Sequence, residues 1–210
     1  MLQDAVRFLR TYDDILLIRL SRWRHARQLL CAHGALLELA STHRWSAKTP
    51  VPAIYRFLPF AHQLIPPEQA HPAEAVVCVD CADLGRAGRC EPLFRAAKAT
   101  LNIDHHGTND RYAEHNYVQK AGATGELIFN VIASLKITLN KNIASCLYAA
   151  ITTDTGNFSY SNTTPQTMRM VAGYSRHRNR SSVPQPLPVS HGAVPQTQAP
   201  CAWRKQSEAL

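Results

Sequence analysis

Apolar residues at Leu2, Ala5, Val6 and Leu9 recur at helical spacing, so residues 2–12 read as a short helix with one buried face. Asp13 and Asp14 end it, and Ile15-Leu16-Leu17-Ile18 follows as an unbroken apolar run, the pattern of a strand covered on both faces. Such a strand is expected to pass through a loop into a crossover helix. The next stretch instead runs Arg19-Leu20-Ser21-Arg22-Trp23-Arg24-His25-Ala26-Arg27-Gln28, with no glycine or acid before Gly34 and Glu38. A legible pattern resumes at Ile54 to Phe60. Ala75 to Val79 is a second buried run ending at Asp80, and Thr100 to Ile103 a third ending at Asp104. Residues 124–135 and 140–152 carry apolar positions at helical spacing, with Thr124 and Asn140 as their expected N-caps. Strands alternating with helices predict an α/β fold with a mainly parallel sheet flanked by helices.

From Tyr174 onward no apolar period survives. Five of the thirteen prolines (Pro184, Pro186, Pro188, Pro195, Pro200) fall in the last 37 residues among Ser, Gln and Arg, which predicts a disordered C-terminal tail.

Charge sharpens this division. The chain carries a formal +8 over 210 residues, ordinarily a pointer to an anionic partner. Residues 19–50 account for +5 of it (six basic residues against Glu38) and residues 174–210 for +4 (five against Glu208), leaving the remainder at −1. The basic balance therefore belongs to the two segments in which the hydrophobic pattern fails. Six scattered cysteines, several in apolar runs, read as buried reduced thiols of a cytoplasmic protein, and Cys78, Cys81 and Cys90 lack the second pair of a zinc finger. No apolar run has the ~20 residues of a membrane span, and Met-Leu-Gln-Asp-Ala-Val at the start lacks a signal-peptide pattern, so no membrane partner is expected.

Three clusters carry candidate chemistry: Asp80-Cys81-Ala82-Asp83, Asp104-His105-His106-Gly107, and Thr153-Asp154-Thr155-Gly156. Taken singly, an Asp after a strand is a common turn former. Loops leaving the carboxyl edge of a parallel sheet converge on one crevice, however, so residues distant in sequence can meet there. Carboxylates mixed with imidazoles suit Mn²⁺ or Mg²⁺ better than a thiolate-seeking metal. Two such ions about 3.5–4 Å apart can clamp a phosphoester, one generating hydroxide and the other neutralising the leaving oxygen.

Asp104-His105-His106 resembles the signature of the DHH phosphoesterases, Val79 to Asp83 resembles their second motif, and Thr153 to Phe158 their fourth. Ala121 to Glu126 and Phe158 to Thr164 are similar to the branch containing bifunctional oligoribonucleases and phosphoadenosine-phosphate phosphatases. The resemblance implies a Rossmann-like DHH domain over residues 1–172. It also implies two Mn²⁺ ions, with Mg²⁺ as the substitute, held by Asp80, His105 and Asp154, with Asp80 bridging. His106 would ligate metal or bind the scissile phosphate. The implied catalytic set is thus Asp80, His105, His106 and Asp154. Its substrates would be short oligoribonucleotides or the 3′-phosphate of phosphoadenosine phosphate, and a homo-oligomer is compatible with this reading.

Two departures qualify that expectation. The family's first motif, a His followed by Asp-x-Asp, should follow Ile18, yet no Asp occurs between Asp14 and Asp80. A glycine-rich, histidine-containing substrate domain of about 130 residues is expected where residues 173–210 stand, so that domain reads as absent. Out-of-frame translation from about Arg19 to Lys48 and again from Tyr174 accounts for both segments and their charge. The leading expectation is a phosphoesterase with impaired catalysis. The alternative is a non-enzymatic nucleic-acid-binding remnant using its basic segments. Against it, few aromatics beyond Trp23, Trp45 and Trp203 stand near the arginines as stacking platforms.

Overall fold

The computed structural model describes residues 1–19, 34, 43–47, 50, 51, 53 and 56–177. Five strands, β1 (Ile15–Arg19), β2 (Arg44–Ala47), β3 (Ala75–Val79), β4 (Ala99–Asp104) and β5 (His115–Val118), form one sheet in the order β2-β1-β3-β4-β5. Every pairing is parallel, as the alternation of strand and helix patterns requires. Helices α1 (Leu2–Thr11), α2 (Glu91–Ala96), α3 (Thr124–Leu135), α4 (Lys141–Asp154) and α5 (Pro165–His177) complete the α/β architecture.

The period-2 geometry of the strands divides their apolar runs between two cores. Ile15 and Leu17, Val77 and Val79, and Leu101 and Ile103 pack with α1, α3 and α4 on one face. Leu16, Ile18, Val76 and Cys78 face the other side, against Leu93 and Phe94 of α2. Central strands buried on both faces explain why β1 and β3 lack polar alternation. Each fully buried Leu, Ile or Val contributes about 1.5–3 kcal/mol relative to exposure, so these strands anchor the molecule.

The order places β1 and β3 side by side although β2 lies between them in the chain. Their boundary is a topological switch point, where the connections leave in opposite directions and open a crevice at the carboxyl ends. Asp80, the first residue past β3, stands at that crevice.

Local details adjust the sequence reading. Asn140 caps α4, its side chain accepting from the Ile143 amide at 3.0 Å. Thr124 is not the cap of α3; Ala123 occupies that position, and the Thr124 hydroxyl is directed to Asp80 instead. Strand β2 lies inside the segment expected to be out of pattern, and its Trp45 is fully buried. Helix α5 continues to His177, past the point where apolar periodicity ends. The basic stretch 20–33, residues 35–42, and the expected tail from 178 to 210 lie outside the described residues. Cys78, Cys81, Cys90 and Cys146 are buried thiols, as the apolar runs around Cys78 and Cys146 predict for those two. Among the described residues no helix is long and apolar enough to cross a membrane.

Candidate metal centre

Adjacent parallel strands in register deliver the site. Val79 of β3 pairs with Ile103 of β4, so the residues that follow each leave from the same edge of the sheet. Asp80 turns out of β3 with φ 59°, a left-handed conformation that Asp tolerates better than most residues. Its amide donates to the Ile103 carbonyl at 2.9 Å, which fixes the turn against β4. The side chain is buried, and Oδ1 accepts from the Thr124 hydroxyl at 2.8 Å.

His105 and His106 follow the end of β4 and meet edge to face, with ring centroids 4.6 Å apart. His105 Nδ1 lies 3.1 Å from the Ala121 carbonyl, which can only accept, so Nδ1 carries the proton. That leaves the Nε2 lone pair available 3.7 Å from Asp80 Oδ1, the tautomer and orientation a metal-ligating histidine needs. His106 Nδ1 lies 2.7 Å from Asp104 Oδ1 and 4.0 Å from Asp80 Oδ1. Asp104 is held in turn by Asn109, whose Nδ2 donates to Oδ2 at 2.6 Å and to the Cys81 carbonyl at 2.9 Å. The first residue of the Asp-His-His run therefore orients the third.

Among the described residues, Asp80, His105 and His106 form the one group of potential ligands whose donor atoms lie within 4.8 Å of one another. A buried carboxylate oxygen beside imidazole nitrogens, one with its tautomer fixed by a backbone carbonyl, fits a divalent ion of the Mn²⁺ type. The neighbouring thiols do not compete. Burial pushes Cys78 up and raises Cys81 to about 11, keeping both as thiols at neutral pH.

Asp154 stands apart from that group. It is the last residue of α4, buried, and followed by a turn in which Gly156, Asn157 and Phe158 all adopt positive φ (56°, 54° and 66°). Consecutive left-handed residues are costly for side chains other than glycine and persist only where surrounding structure enforces them. Here Asn162 Nδ2 does so, donating to the Asp154 carbonyl at 3.1 Å and to the Gly122 carbonyl at 2.7 Å. Between His105 and Asp154 the structure adds a residue that strand-end reasoning passed over, the buried Glu126. Burial pushes its carboxyl up, opposed by the Thr167 hydroxyl, the nearby His105 ring and the Gly122 amide, while the Asp154 charge adds to the rise. The pair of glycines in Ala121 to Glu126 was the available signal, since such glycines mark close backbone approach.

The profile of the DHH family's N-terminal domain matches residues 14–151. This chain belongs to the DHH family. It is 34% identical over 143 residues to the bifunctional oligoribonuclease and PAP phosphatase NrnA of Thermus thermophilus, a match covering 67% of this chain and 42% of that protein. The protein of the same name from Bacillus subtilis is 28% identical over 183 residues, 80% of this chain and 55% of its own length. The chain thus spans about half the length of these curated relatives. A crystal structure of an exopolyphosphatase-related protein from Bacteroides fragilis superimposes with a TM-score of 0.77 at 17% identity, over 84% of this chain and 56% of that one. That likeness establishes the fold of this DHH-family chain.

Proposed function

We propose that this DHH-family chain is a metal-dependent phosphoesterase acting in the cytoplasm on short oligoribonucleotides and on the 3′-phosphate of phosphoadenosine phosphate. The observation that carries the proposal is the convergence of Asp80, His105 and His106 within 4.8 Å at the carboxyl edge of β3 and β4. The names of the Thermus and Bacillus relatives supply the substrate class, and the buried free thiols suit a reducing compartment.

Asp80, His105 and Asp154 would hold Mn²⁺, with Mg²⁺ as its substitute. Bound there, the metal would supply hydroxide at neutral pH and charge neutralisation on the leaving oxygen. His106 is oriented by the contact of its Nδ1 with Asp104, and its partial exposure leaves the ring accessible to a phosphate oxygen. Ala121 holds the His105 ring, and Thr124 holds Asp80. The absence of any Asp between Asp14 and Asp80 removes the ligands expected on the β1 side of the crevice, so hydrolysis by this chain is slow.

The test is Mn²⁺-dependent hydrolysis of a diribonucleotide and of phosphoadenosine phosphate by three proteins. These are the 210-residue chain, its Asp80→Ala variant, and a version with the His and following Asp-x-Asp restored after β1. The expected order is restored version, then parent, then Asp80→Ala at background. Equal rates in parent and restored version would remove the account of the missing ligands, and a fully active Asp80→Ala would remove the proposal itself.

A further inference from the structure

Glu126 is a buried acid with no place in the ligand set, yet it lies where three elements meet. The Thr167 hydroxyl, at the start of α5, donates to Oε1 at 2.6 Å, and the Gly122 amide donates to the same carboxyl group. Thr167 is itself buried and fixed by exchange with Thr164, whose hydroxyl accepts from the Thr167 amide at 3.1 Å. A Cβ on Gly122 would fall 2.6 Å from Glu126 Oε1, 2.7 Å from the Asn162 carbonyl and 2.9 Å from Thr167 Oγ1, so the three close on the bare glycine. The Gly122 carbonyl points the other way and accepts from Asn162, which also holds the Asp154 carbonyl. One residue earlier is Ala121, whose carbonyl fixes the His105 ring.

We infer that Glu126 is a positioning residue that locks the 121–123 loop, and through it sets the His105 tautomer and the placement of Asp154. The inference rests on the metal-centre reading above for its consequence, because the purpose of the lock is to present His105 Nε2 to a metal beside Asp80. It does not rest on it for its geometry. The loop has no regular secondary structure of its own, so its amide and carbonyl groups are held by these side chains rather than by a ladder. Removing the Glu126 carboxylate leaves the buried Gly122 amide without its acceptor and frees Thr167. The Ala121 carbonyl then loses its fixed direction, and His105 can populate the Nε2–H tautomer, in which the nitrogen facing Asp80 cannot ligate.

The experiment uses the full chain and its Glu126→Ala and Glu126→Gln variants, with two readouts. ¹⁵N NMR of the imidazoles without metal reports the His105 tautomer, and calorimetric titration with Mn²⁺ alone reports affinity. The parent is expected to show His105 as the Nδ1–H tautomer. Glu126→Ala is expected to mix the tautomers and to bind Mn²⁺ about 10–100-fold more weakly, the usual loss when an outer partner of a ligand is removed. Glu126→Gln keeps the size and one acceptor oxygen, and is expected to fall between the two. If Glu126→Ala does not fold, the same measurements on Glu126→Gln decide the matter. A folded variant with parental tautomer and parental affinity overturns the inference, and a lowered melting temperature as its only change assigns Glu126 a structural role. A parent that binds no Mn²⁺ would overturn the metal-centre reading, while the tautomer comparison would still test the lock.

Discussion

The two halves of the sheet are built alike along their strands and differently at their ends. In the β1–β2 half, the titratable groups gather at the amino edge: Asp13 and Asp14 precede β1, His43 precedes β2, and Arg44 reaches Asp14 Oδ1 at 2.6 Å. The β3–β4 half has its own amino-edge pair, Glu74 with Lys98, and among the described residues it adds a cluster at the carboxyl edge, Asp80, Asp104, His105 and His106. The same residue types therefore do different work according to which end of the parallel strands they occupy. At the amino edge they fasten the start of the sheet, since the Asp14 carbonyl also accepts from the Ala75 amide at 3.1 Å. At the carboxyl edge they open onto the crevice beside the β1–β3 switch point and can take a ligand. The amino-edge ion pair is partly exposed and stabilises by no more than about 1 kcal/mol.

The largest effect should come from breaking the first half where it is most buried. Trp45→Ala empties a fully buried site and is expected to cost about 3–5 kcal/mol in denaturant unfolding. Its folded fraction should titrate with Mn²⁺ as the parent does, because Trp45 lies outside the ligand group. A loss below about 1 kcal/mol would mean that β2 is no part of the core. The second half is probed by Thr124→Val, nearly the same shape without the hydroxyl that donates to Asp80. The expected cost is about 1.5–3 kcal/mol, the range for a hydrogen bond to a charged group. Mn²⁺ affinity should fall about 10–100-fold with it. Weaker stability with unchanged affinity would make Thr124 a fold residue only. The two substitutions thus separate fastening from ligand support.

Where the sequence was legible, burial and periodicity agreed. Ile15 to Ile18 and Ala75 to Val79 lie in strands covered on both faces, and apolar continuity is the direct signature of that environment. The helix pattern over 124–135 coincides with α3 because its apolar face is long enough to define a period. Arg-Trp-Ser-Ala in β2 and His-Asn-Tyr-Val in β5 are short and half polar, and only pairing with β1 and β4 makes them strands. Asp80, His105 and His106 could be grouped from sequence because they follow apolar strands directly. Glu126 could not, because its role depends on α5 returning 41 residues later to place Thr167 against it. Helix α5 itself begins at Pro165 behind Thr164, a start signal, but its Gln, Thr, Met and Arg residues carry too weak an apolar stripe to be read.

The smallest expected effect concerns pH and returns to the amino edge. Burial pushes the His43 imidazole below its ordinary value of 6.5, while the Asp13 backbone and the charges of Asp13 and Asp14 pull the other way. Arg44 adds a positive charge beside it that is already committed to Asp14. With the folded pKa depressed, the unfolded chain binds a proton in the interval just below 6.5 that the folded chain does not. Stability contributed by neutral His43 is therefore complete above that value and is lost as pH falls through the interval. The slope cannot exceed about 1.4 kcal/mol per pH unit for one group. Denaturant midpoints of the parent and of His43→Gln, followed across this range, should converge toward acid because only the parent carries the cost of leaving His43 neutral. Parallel curves would place the acid sensitivity on other groups and leave the amino edge as fastening without a titrating member.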